Sequence, residues 1–355
     1  MTSDYKKEFE DLVETVMKES ASDLHLSVGR YPTVRVNGFL MPLLNRSILS
    51  KDDMLGIMSV ALSAQDQELF QRNKEIDFSY IYQDKARFRG NGYFQQGNIS
   101  FAFRLIQRKI RSIAELNLPP LLETFCDRQQ GFFLVVGPVG HGKTTTLAAM
   151  VERINETRAE HIITVEDPVE YVYEQKKSMI DQREVRIDTI DFATALRSVF
   201  REDVDVILIG EMRGIDTMAT AVTAAETGHL VLSTLHTNNA AQTINRIIDS
   251  FPSTQQDQIR IQLAATLTGI FSQRLIPSIS GGLVPAYELL VSTPAVQNLI
   301  REKRVHEINT VIETGIDQGM IDMNRSLAEL VRKGEITSEN AYLYSPNPKV
   351  LERLL

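Results

Sequence analysis

The chain has 355 residues, of which 43% are hydrophobic and 24% are charged, and this composition excludes a mainly disordered protein and suggests two domains. A single cysteine, Cys126, excludes both a disulfide framework and a zinc site built from several cysteines. The net charge of −8 argues against a nucleic-acid binder that works through bulk positive charge.

The first hundred residues have the pattern of an α/β domain. Residues 8–20 place apolar side chains at helical spacing. Asn37 and Gly38 are a two-residue hairpin signal, and Ser50 is typical of a helix N-cap. Four segments predict strands: residues 22–27, 33–40, 76–82 and 86–105.

A change of pattern divides the chain near residue 110. Four cationic residues lie in or beside a segment that ends in two prolines and has the character of an exposed linker: Arg104, Arg108, Lys109 and Arg111. We therefore predict an N-terminal domain at residues 1–107, a linker at 108–120 and a second domain at 121–355.

The second domain alternates strands with helices, which is typical of a parallel sheet with right-handed crossovers. Four continuous apolar runs predict strands that are buried on both faces: residues 132–136, 161–165, 204–209 and 229–234. Three segments predict helices: residues 145–157, 192–199 and 217–226. After residue 239 we expect a mostly helical chain.

Residues 137–144 match the phosphate-loop pattern G-x-x-x-x-G-K-[S/T] in full, between a predicted strand and a predicted helix. Glycines let backbone N–H groups turn toward phosphate oxygens, and the helix N-terminus attracts the same anion. Lys143 is expected to hold the β- and γ-phosphates, and Thr144 to offer its hydroxyl to Mg²⁺. The expected nucleotide-binding residues are Gly137, Pro138, Val139, Gly140, His141, Gly142, Lys143, Thr144 and Thr145.

Two acidic segments follow predicted strands of the second domain. Glu211 comes soon after the apolar residues 206–209, a Walker B arrangement in which it can hold Mg²⁺ through water or polarise the attacking water. The other segment contains Glu166, Asp167 and Glu170. Both strand ends open on the ligand-binding edge of a parallel sheet, where clustered carboxylates are costly unless a metal or a reaction uses them.

Separate sequence features indicate which nucleotide is bound and which residues could contact its γ-phosphate. No N-K-x-D motif specific for guanine follows the phosphate loop, so ATP is the expected nucleotide. His229 and His236 bracket an apolar strand, and a neutral imidazole there could report the γ-phosphate by hydrogen bonding. Metal ligation by this pair is not expected, because no other histidine or cysteine has suitable spacing.

The chain resembles the secretion-type hexameric ATPases, and among them the retraction ATPases of the type IV pilus (PilT-like). The resemblance implies a PAS-like N-terminal α/β domain and a RecA-like P-loop ATPase domain with a helical C-terminal part, assembled as a homohexamer. The segments that carry it are residues 21–27, 137–144, 166–170, 207–213, 224–238, 324–327 and 336–337.

The same resemblance implies Mg²⁺-dependent hydrolysis of ATP, coupled to domain rotation that drives pilin subunits back into the membrane. The residues that match the family's catalytic positions are Glu211, Glu170, Arg89, Arg104, His229 and His236. Either acid could be the general base, and the histidines would sense the nucleotide. The arginines would stabilise charge on the phosphoryl group of their own subunit's nucleotide or a neighbour's. The metal-binding residues would be Thr144 and Glu211, partly through water.

Three residues and one segment depart from the family pattern. His141 and Gly214 replace a usual serine and aspartate, and Gly97 replaces a common arginine. Residues 295–302 differ from a helical signature that matters for function beyond hydrolysis. None of these changes removes a group that phosphoryl transfer needs.

Three alternatives to a retraction motor remain open. A pilus-extension or type II secretion ATPase usually carries a long extra N-terminal domain and a four-cysteine zinc insertion, whereas here Cys126 stands alone and little precedes residue 22. A partner-dependent, ATP-binding accessory subunit is opposed by the intact Lys143, Glu170 and Glu211. A conjugation-type DNA-translocating ATPase is disfavoured by the acidic charge balance.

The sequence and the resemblance also indicate a cellular location and binding partners. No apolar run reaches about 20 residues and no signal peptide is visible, so we expect a cytoplasmic protein at the cytoplasmic face of the inner membrane, without direct insertion. The resemblance implies docking on an integral platform protein and makes a paralogous accessory ATPase a candidate partner. Nucleic acid is not an expected partner.

Overall fold

The computed structural model describes residues 2–19, 21–36, 38–83, 85–106 and 109–355, with side chains from residue 5 onward. The chain forms two compact units, Met1–Lys109 and Ile110–Leu355. Three residues named in the predictions lie outside the described part: Asn37 of the hairpin signal, Gln107 at the predicted domain end and Arg108 of the linker.

The first unit is a six-stranded antiparallel sheet with helices. Its elements are α1 (Thr2–Lys18), β1 (Asp23–Ser27), β2 (Thr33–Val36), β3 (Phe39–Pro42), α2 (Lys51–Ala61), α3 (Ala64–Asn73), β4 (Glu75–Tyr82), β5 (Ala86–Gln95) and β6 (Asn98–Ile106). The strand order is β3-β2-β1-β6-β5-β4. Val36 pairs with Phe39 across the predicted hairpin, and Ser50 caps α2 by accepting the backbone N–H of Asp53.

The apolar face of α1 builds the core of this unit. Phe9, Val13 and Val16 are fully buried, as their helical spacing predicts. They share one hydrophobic cluster with Phe88 and Phe103 of the sheet. Helix α1 also contacts α2. The amphipathic pattern of the N-terminal helix is therefore the signal of burial against this sheet.

The second unit is a seven-stranded sheet of order β13-β12-β7-β11-β10-β8-β9, parallel except that β13 pairs antiparallel with β12. Its strands are β7 (Gly131–Val136), β8 (His161–Glu166), β9 (Met179–Glu184), β10 (Val206–Ile209), β11 (Leu230–Leu235), β12 (Leu267–Pro277) and β13 (Leu283–Val291). Its helices are α4 (Leu121–Cys126), α5 (Lys143–Thr157), α6 (Phe192–Val199), α7 (Ile215–Glu226), α8 (Ala240–Asp249), α9 (Ser253–Thr266), α10 (Pro294–Arg301), α11 (Ile308–Thr314), α12 (Met323–Arg332), α13 (Ser338–Tyr344) and α14 (Pro348–Leu354), with 3-10 helices at Val305–Glu307 and Ile316–Gln318.

Both faces of this sheet are covered, which explains its continuous apolar runs. In β7, Phe132 and Leu134 join the hydrophobic cluster on one face, and Phe133 and Val135 join the cluster on the other. Alternate residues of a strand point to opposite faces, so a strand buried on both sides needs apolar residues throughout. Among the described residues, no helix is both long and apolar enough to cross a bilayer.

The prediction of a mostly helical chain after residue 239 is wrong for β12 and β13. Nearly all of β12 is buried, so no alternation of apolar and polar residues marks it as a strand. On one side it pairs with β7, which precedes it by more than a hundred residues, and on the other with β13. The distant pairing with β7 leaves no local signal in the sequence.

Candidate functional site

The loop between β7 and α5 is shaped for phosphate. Gly140 and Gly142 adopt left-handed φ angles of 79° and 80°, which residues with a Cβ rarely take. Gly142 is also the N-cap of α5 and, as a glycine, has no side chain to cap the helix. The N–H groups of the first turn therefore remain for an anion, which the helix dipole also favours.

Lys143 lies inside this loop and is 7% exposed. Its Nζ donates to the backbone carbonyls of Gly137 and Pro138, both at 2.9 Å. Burial lowers the pKa of Lys143, while the carboxylates of Glu211 and Glu170 act in the opposite direction. The ammonium is thus held in the loop by groups that a phosphate could replace.

His236 connects Lys143 to Glu211. Its Nδ1 lies 3.1 Å from Lys143 Nζ, and its Nε2 lies 3.3 Å from Glu211 Oε1. An ammonium can only donate, so Nδ1 accepts and the proton of the neutral imidazole is on Nε2, facing the carboxylate. Lys143, His236 and Glu211, which the sequence predicted as site residues, therefore form one hydrogen-bonded chain.

Glu211 is held in its ionised form. Burial alone would raise its pKa, but the hydrogen bond and charge of Arg213, together with the charge of Lys143, bring the pKa below its usual value of 4.5. Arg213 Nε and Nη2 lie 2.9 and 2.8 Å from Glu211 Oε2. An ionised carboxylate beside the phosphate loop has the charge that a Mg²⁺ site or an attacking water requires.

The three acids after β8 have different environments. Glu166 is 4% exposed and accepts hydrogen bonds from Thr164, Gln182 and the Glu170 backbone. Burial raises its pKa to about 7 despite these bonds. Asp167 lies 3.7 Å from Arg186. Glu170 and Glu211 are thus the two acids whose charge acts on Lys143, and both remain candidates for activating water.

The donor set at the loop suits Mg²⁺ bound with nucleotide. In the described part of the chain, no group of three or more His, Cys, Asp or Glu side chains could hold a metal. Mg²⁺ usually binds through one or two protein oxygens together with substrate phosphates and waters. Thr144, on the first turn of α5, and Glu211 would supply those protein oxygens.

His229 lies away from this group. It precedes β11, whereas His236 follows it, so about 23 Å of extended strand separates the two residues at about 3.3 Å per residue. His229 Nδ1 lies 2.9 Å from the carbonyl oxygen of Ala224, and its ring packs edge-on against Phe200. The structure does not bring His229 to the phosphate edge of its own chain, because the two ends of a strand lie on opposite edges of the sheet.

Arg89 and Arg104 belong to the first unit. They are directly opposite each other on β5 and β6, so they share one face of that sheet. Arg104 Nε donates to Asp23 Oδ1 at 2.9 Å, and its side chain is 69% exposed. Their contact with phosphate stays a prediction.

Three contacts at the site were not foreseen. Gln273 of β12 touches the phosphate loop, Tyr171 hydroxyl lies 2.9 Å from Thr145 Oγ1, and Arg213 binds Glu211. Arg213 adjoins the Walker B segment and could have been found there. Gln273 and Tyr171 carry no sequence signal, because they are distant from the loop along the chain.

His141, the unusual loop residue, should make stability depend on pH. Its Nδ1 accepts the backbone N–H of Leu275 at 2.9 Å, and burial, followed by the charges of Arg274 and Lys143, lowers its pKa below 6.5. The unfolded chain then takes up a proton first, so stability is full above pH 6.5 and falls as the pH decreases through the folded pKa. We expect the unfolding temperature to drop between pH 7.5 and pH 5.5 because of this residue.

Thermal unfolding of His141→Asn measures that effect, because asparagine keeps an acceptor and does not titrate. The exposed His306 offers a matched control for the substitution itself, His306→Asn. If the unfolding temperature changes with pH equally in His141→Asn and in the wild type, His141 does not cause the pH dependence.

The chain is similar to known proteins over most of its length. Residues 4–283 match the family "Type II/IV secretion system protein". The type IV pilus retraction ATPase PilT of Pseudomonas aeruginosa is 43% identical over 324 residues, which cover 91% of this chain and 94% of that protein. A twitching motility protein of Neisseria gonorrhoeae is 43% identical over 311 residues, with 87% and 83% covered.

A solved structure agrees with these relatives. The crystal structure of the pilus retraction motor PilT with bound ADP has a TM-score of 0.91 and 43% identity, and the match covers 97% of this chain and 98% of that one. The predicted two-domain α/β fold class is thereby confirmed. The chain belongs to the type II/IV secretion system protein family, and it is similar to that family's pilus retraction ATPases over nearly its whole length.

Proposed function

We propose that this chain is an ATP-hydrolysing motor that powers retraction of a type IV pilus. The observation that carries the proposal is the intact phosphate site, with Lys143, His236 and Glu211 in hydrogen-bonded contact, in a chain that matches PilT from end to end. The relatives are a pilus retraction ATPase and a twitching motility protein, which supports this function over the alternatives.

The site residues divide the chemistry among them. When the β- and γ-phosphates enter the loop, Lys143 exchanges its bonds to the Gly137 and Pro138 carbonyls for phosphate oxygens. Thr144 and Glu211 would hold Mg²⁺, which supplies charge neutralisation on the phosphoryl group. Glu170 or Glu211 orients and deprotonates the attacking water.

Two further groups complete the proposed mechanism. His236, already bonded to Lys143 and Glu211, is placed to change partners when a γ-phosphate is present. Arg89 and Arg104 would stabilise the charge that develops on the transferring group. His229 lies outside this constellation in its own chain, so any sensing role for it requires a contact from another subunit.

The proposed assembly is a homohexamer at the cytoplasmic face of the inner membrane, docked on an integral platform protein. A ring gives each nucleotide a defined interface that hydrolysis can toggle. A paralogous accessory ATPase is a candidate partner, and direct membrane insertion and nucleic-acid binding are not part of the proposal.

Retraction and extension make opposite predictions in cells. Deleting the gene from a piliated strain that encodes it should leave pili on the surface and abolish twitching if the motor retracts. Loss of an extension motor should leave no surface pili. Electron microscopy of sheared pili, with a complemented strain as control, measures the amount of surface pili. Deletion cells without surface pili would overturn the retraction proposal.

Removal of Mg²⁺ should stop turnover. We expect excess EDTA to lower the ATPase rate about 100-fold or more, because the site residues alone leave the phosphate charge poorly neutralised. Adding MgCl₂ back should restore the rate, and release of phosphate measures it. Undiminished turnover in EDTA would contradict the assignment of Thr144 and Glu211 as metal-binding residues.

A further inference from the structure

Gln273 is a buried polar residue beside the phosphate loop. It lies on β12, one residue after Ser272, which pairs with Val136 at the end of β7. It is therefore level with Gly137, where the loop begins, and its side chain is 3% exposed. A Cβ built on Gly137 would collide with the backbone carbonyl of Gln273, so strand and loop are in close contact.

The carboxamide of Gln273 bridges two parts of the loop region. Its Oε1 accepts the hydroxyl of Thr146 at 2.6 Å, and its Nε2 donates to the backbone carbonyl of His141 at 3.0 Å. Thr146 lies in the first turn of α5 and is 1% exposed. One buried amide therefore fixes the loop relative to the helix whose N-terminus receives the phosphate.

A second bond from β12 holds the same loop. The backbone N–H of Leu275 donates to His141 Nδ1 at 2.9 Å. On the other side, Lys143 Nζ binds the carbonyls of Gly137 and Pro138. These lysine bonds must break when phosphate arrives, whereas the β12 bonds do not involve a phosphate-binding group and can persist.

We propose that Gln273 is a positioning residue for nucleotide binding, which holds the phosphate loop in its binding conformation when Lys143 releases the loop carbonyls. The proposal rests on the proposed nucleotide-binding function. Its physical basis is preorganisation, since a loop that is already ordered loses less conformational freedom on binding. Gln273 acts through the backbone of His141 and the hydroxyl of Thr146, and it need not touch the nucleotide.

The test compares ADP affinities by calorimetry with the full-length protein. Gln273→Leu removes both side-chain bonds, and Thr146→Val removes one while keeping the shape. We expect ADP binding about tenfold weaker in Gln273→Leu, because a loop that is no longer held in place loses more conformational freedom when it binds. Thr146→Ser, which keeps the hydroxyl, should retain wild-type affinity.

A matched control separates positioning from general destabilisation. Gln175 also makes two bonds through its carboxamide, donating to the carbonyl of Ile180 and accepting its N–H, and neither of these bonds involves the phosphate loop. Gln175→Leu should leave ADP affinity unchanged. The double variant Gln273→Leu/Thr146→Val should bind no more weakly than Gln273→Leu alone, because the two positions share one bond.

The possible failures are distinguishable. A wild-type protein that does not bind ADP overturns the proposed function and this inference with it. A wild type that binds, together with unchanged affinity in Gln273→Leu, overturns the inference alone. If Gln273→Leu does not fold, Thr146→Val against Thr146→Ser decides, and equal affinities in that pair overturn the role of the Gln273 bond.

Discussion

Replacing Lys143 with alanine is expected to weaken ADP and ATP binding by at least about 100-fold, as two charge-assisted hydrogen bonds of about 1.5 kcal/mol each would do. The ammonium lies in the loop, 2.9 Å from the carbonyls of Gly137 and Pro138 and 3.1 Å from His236. Without it, Glu211 and Glu170 remain as negative charges near an anionic ligand. Hydrolysis should therefore be lost as well.

Calorimetric titration with ADP measures this loss. Lys176→Ala is the matched control, because Lys176 is a lysine of the same unit that pairs with Glu152 and Glu156. That variant should bind ADP normally. ADP affinity in Lys143→Ala within threefold of the wild type would contradict the proposed site.

The second large effect is expected at the two site acids. Glu211→Gln should lower the rate of ATP hydrolysis about 100-fold or more and leave ADP binding nearly unchanged. Glutamine keeps the shape and can still meet Arg213 and His236, but it lacks the charge for Mg²⁺ or for water activation. Glu170→Gln should behave similarly, since its charge also acts at Lys143.

The Mg²⁺ dependence of the two variants separates their roles. If the replaced acid holds the metal, raising the Mg²⁺ concentration should restore part of the lost rate. If it is the general base, raising the Mg²⁺ concentration should not restore the rate. Single-turnover phosphate release over a range of Mg²⁺ concentrations makes the measurement. Glu226→Gln is the control, because Glu226 lies at the far end of α7 and accepts only a bond from Gln262 in the described contacts. Wild-type rates in both Glu211→Gln and Glu170→Gln would contradict the proposed mechanism.

Much of the site could be predicted because its signals are local. The phosphate loop is one continuous segment between a strand and a helix. Its glycines, Lys143 and Thr144 all lie within that segment, so their roles can be predicted from it alone. The acids Glu211 and Glu170 follow shortly after apolar strands, and parallel strands bring such segments to one edge. His236 was found by the same reasoning, since it directly follows β11.

His229 and Gln273 could not be assigned correctly from the sequence for one shared reason: their positions depend on the tertiary structure. His229 and His236 flank one strand, but the length of that strand takes them to opposite ends of the sheet. Gln273 reaches His141 across 132 positions of the chain. No spacing rule covers such a pair, because its distance is set by the pairing of β12 with β7.

The α/β class could be predicted from the alternation of strands and helices, and the phosphate loop and the acidic segments from a few consecutive residues each. Which groups touch depends on how distant segments pack together. The pairing of β12 with β7 buries β12, and its buried residues include the polar Thr268, Ser272 and Gln273, so no alternation of apolar and polar residues marks the strand. The tertiary structure also gave Glu166 a pKa of about 7 and kept Glu211 ionised, because burial and charged neighbours depend on segments brought together from distant parts of the chain.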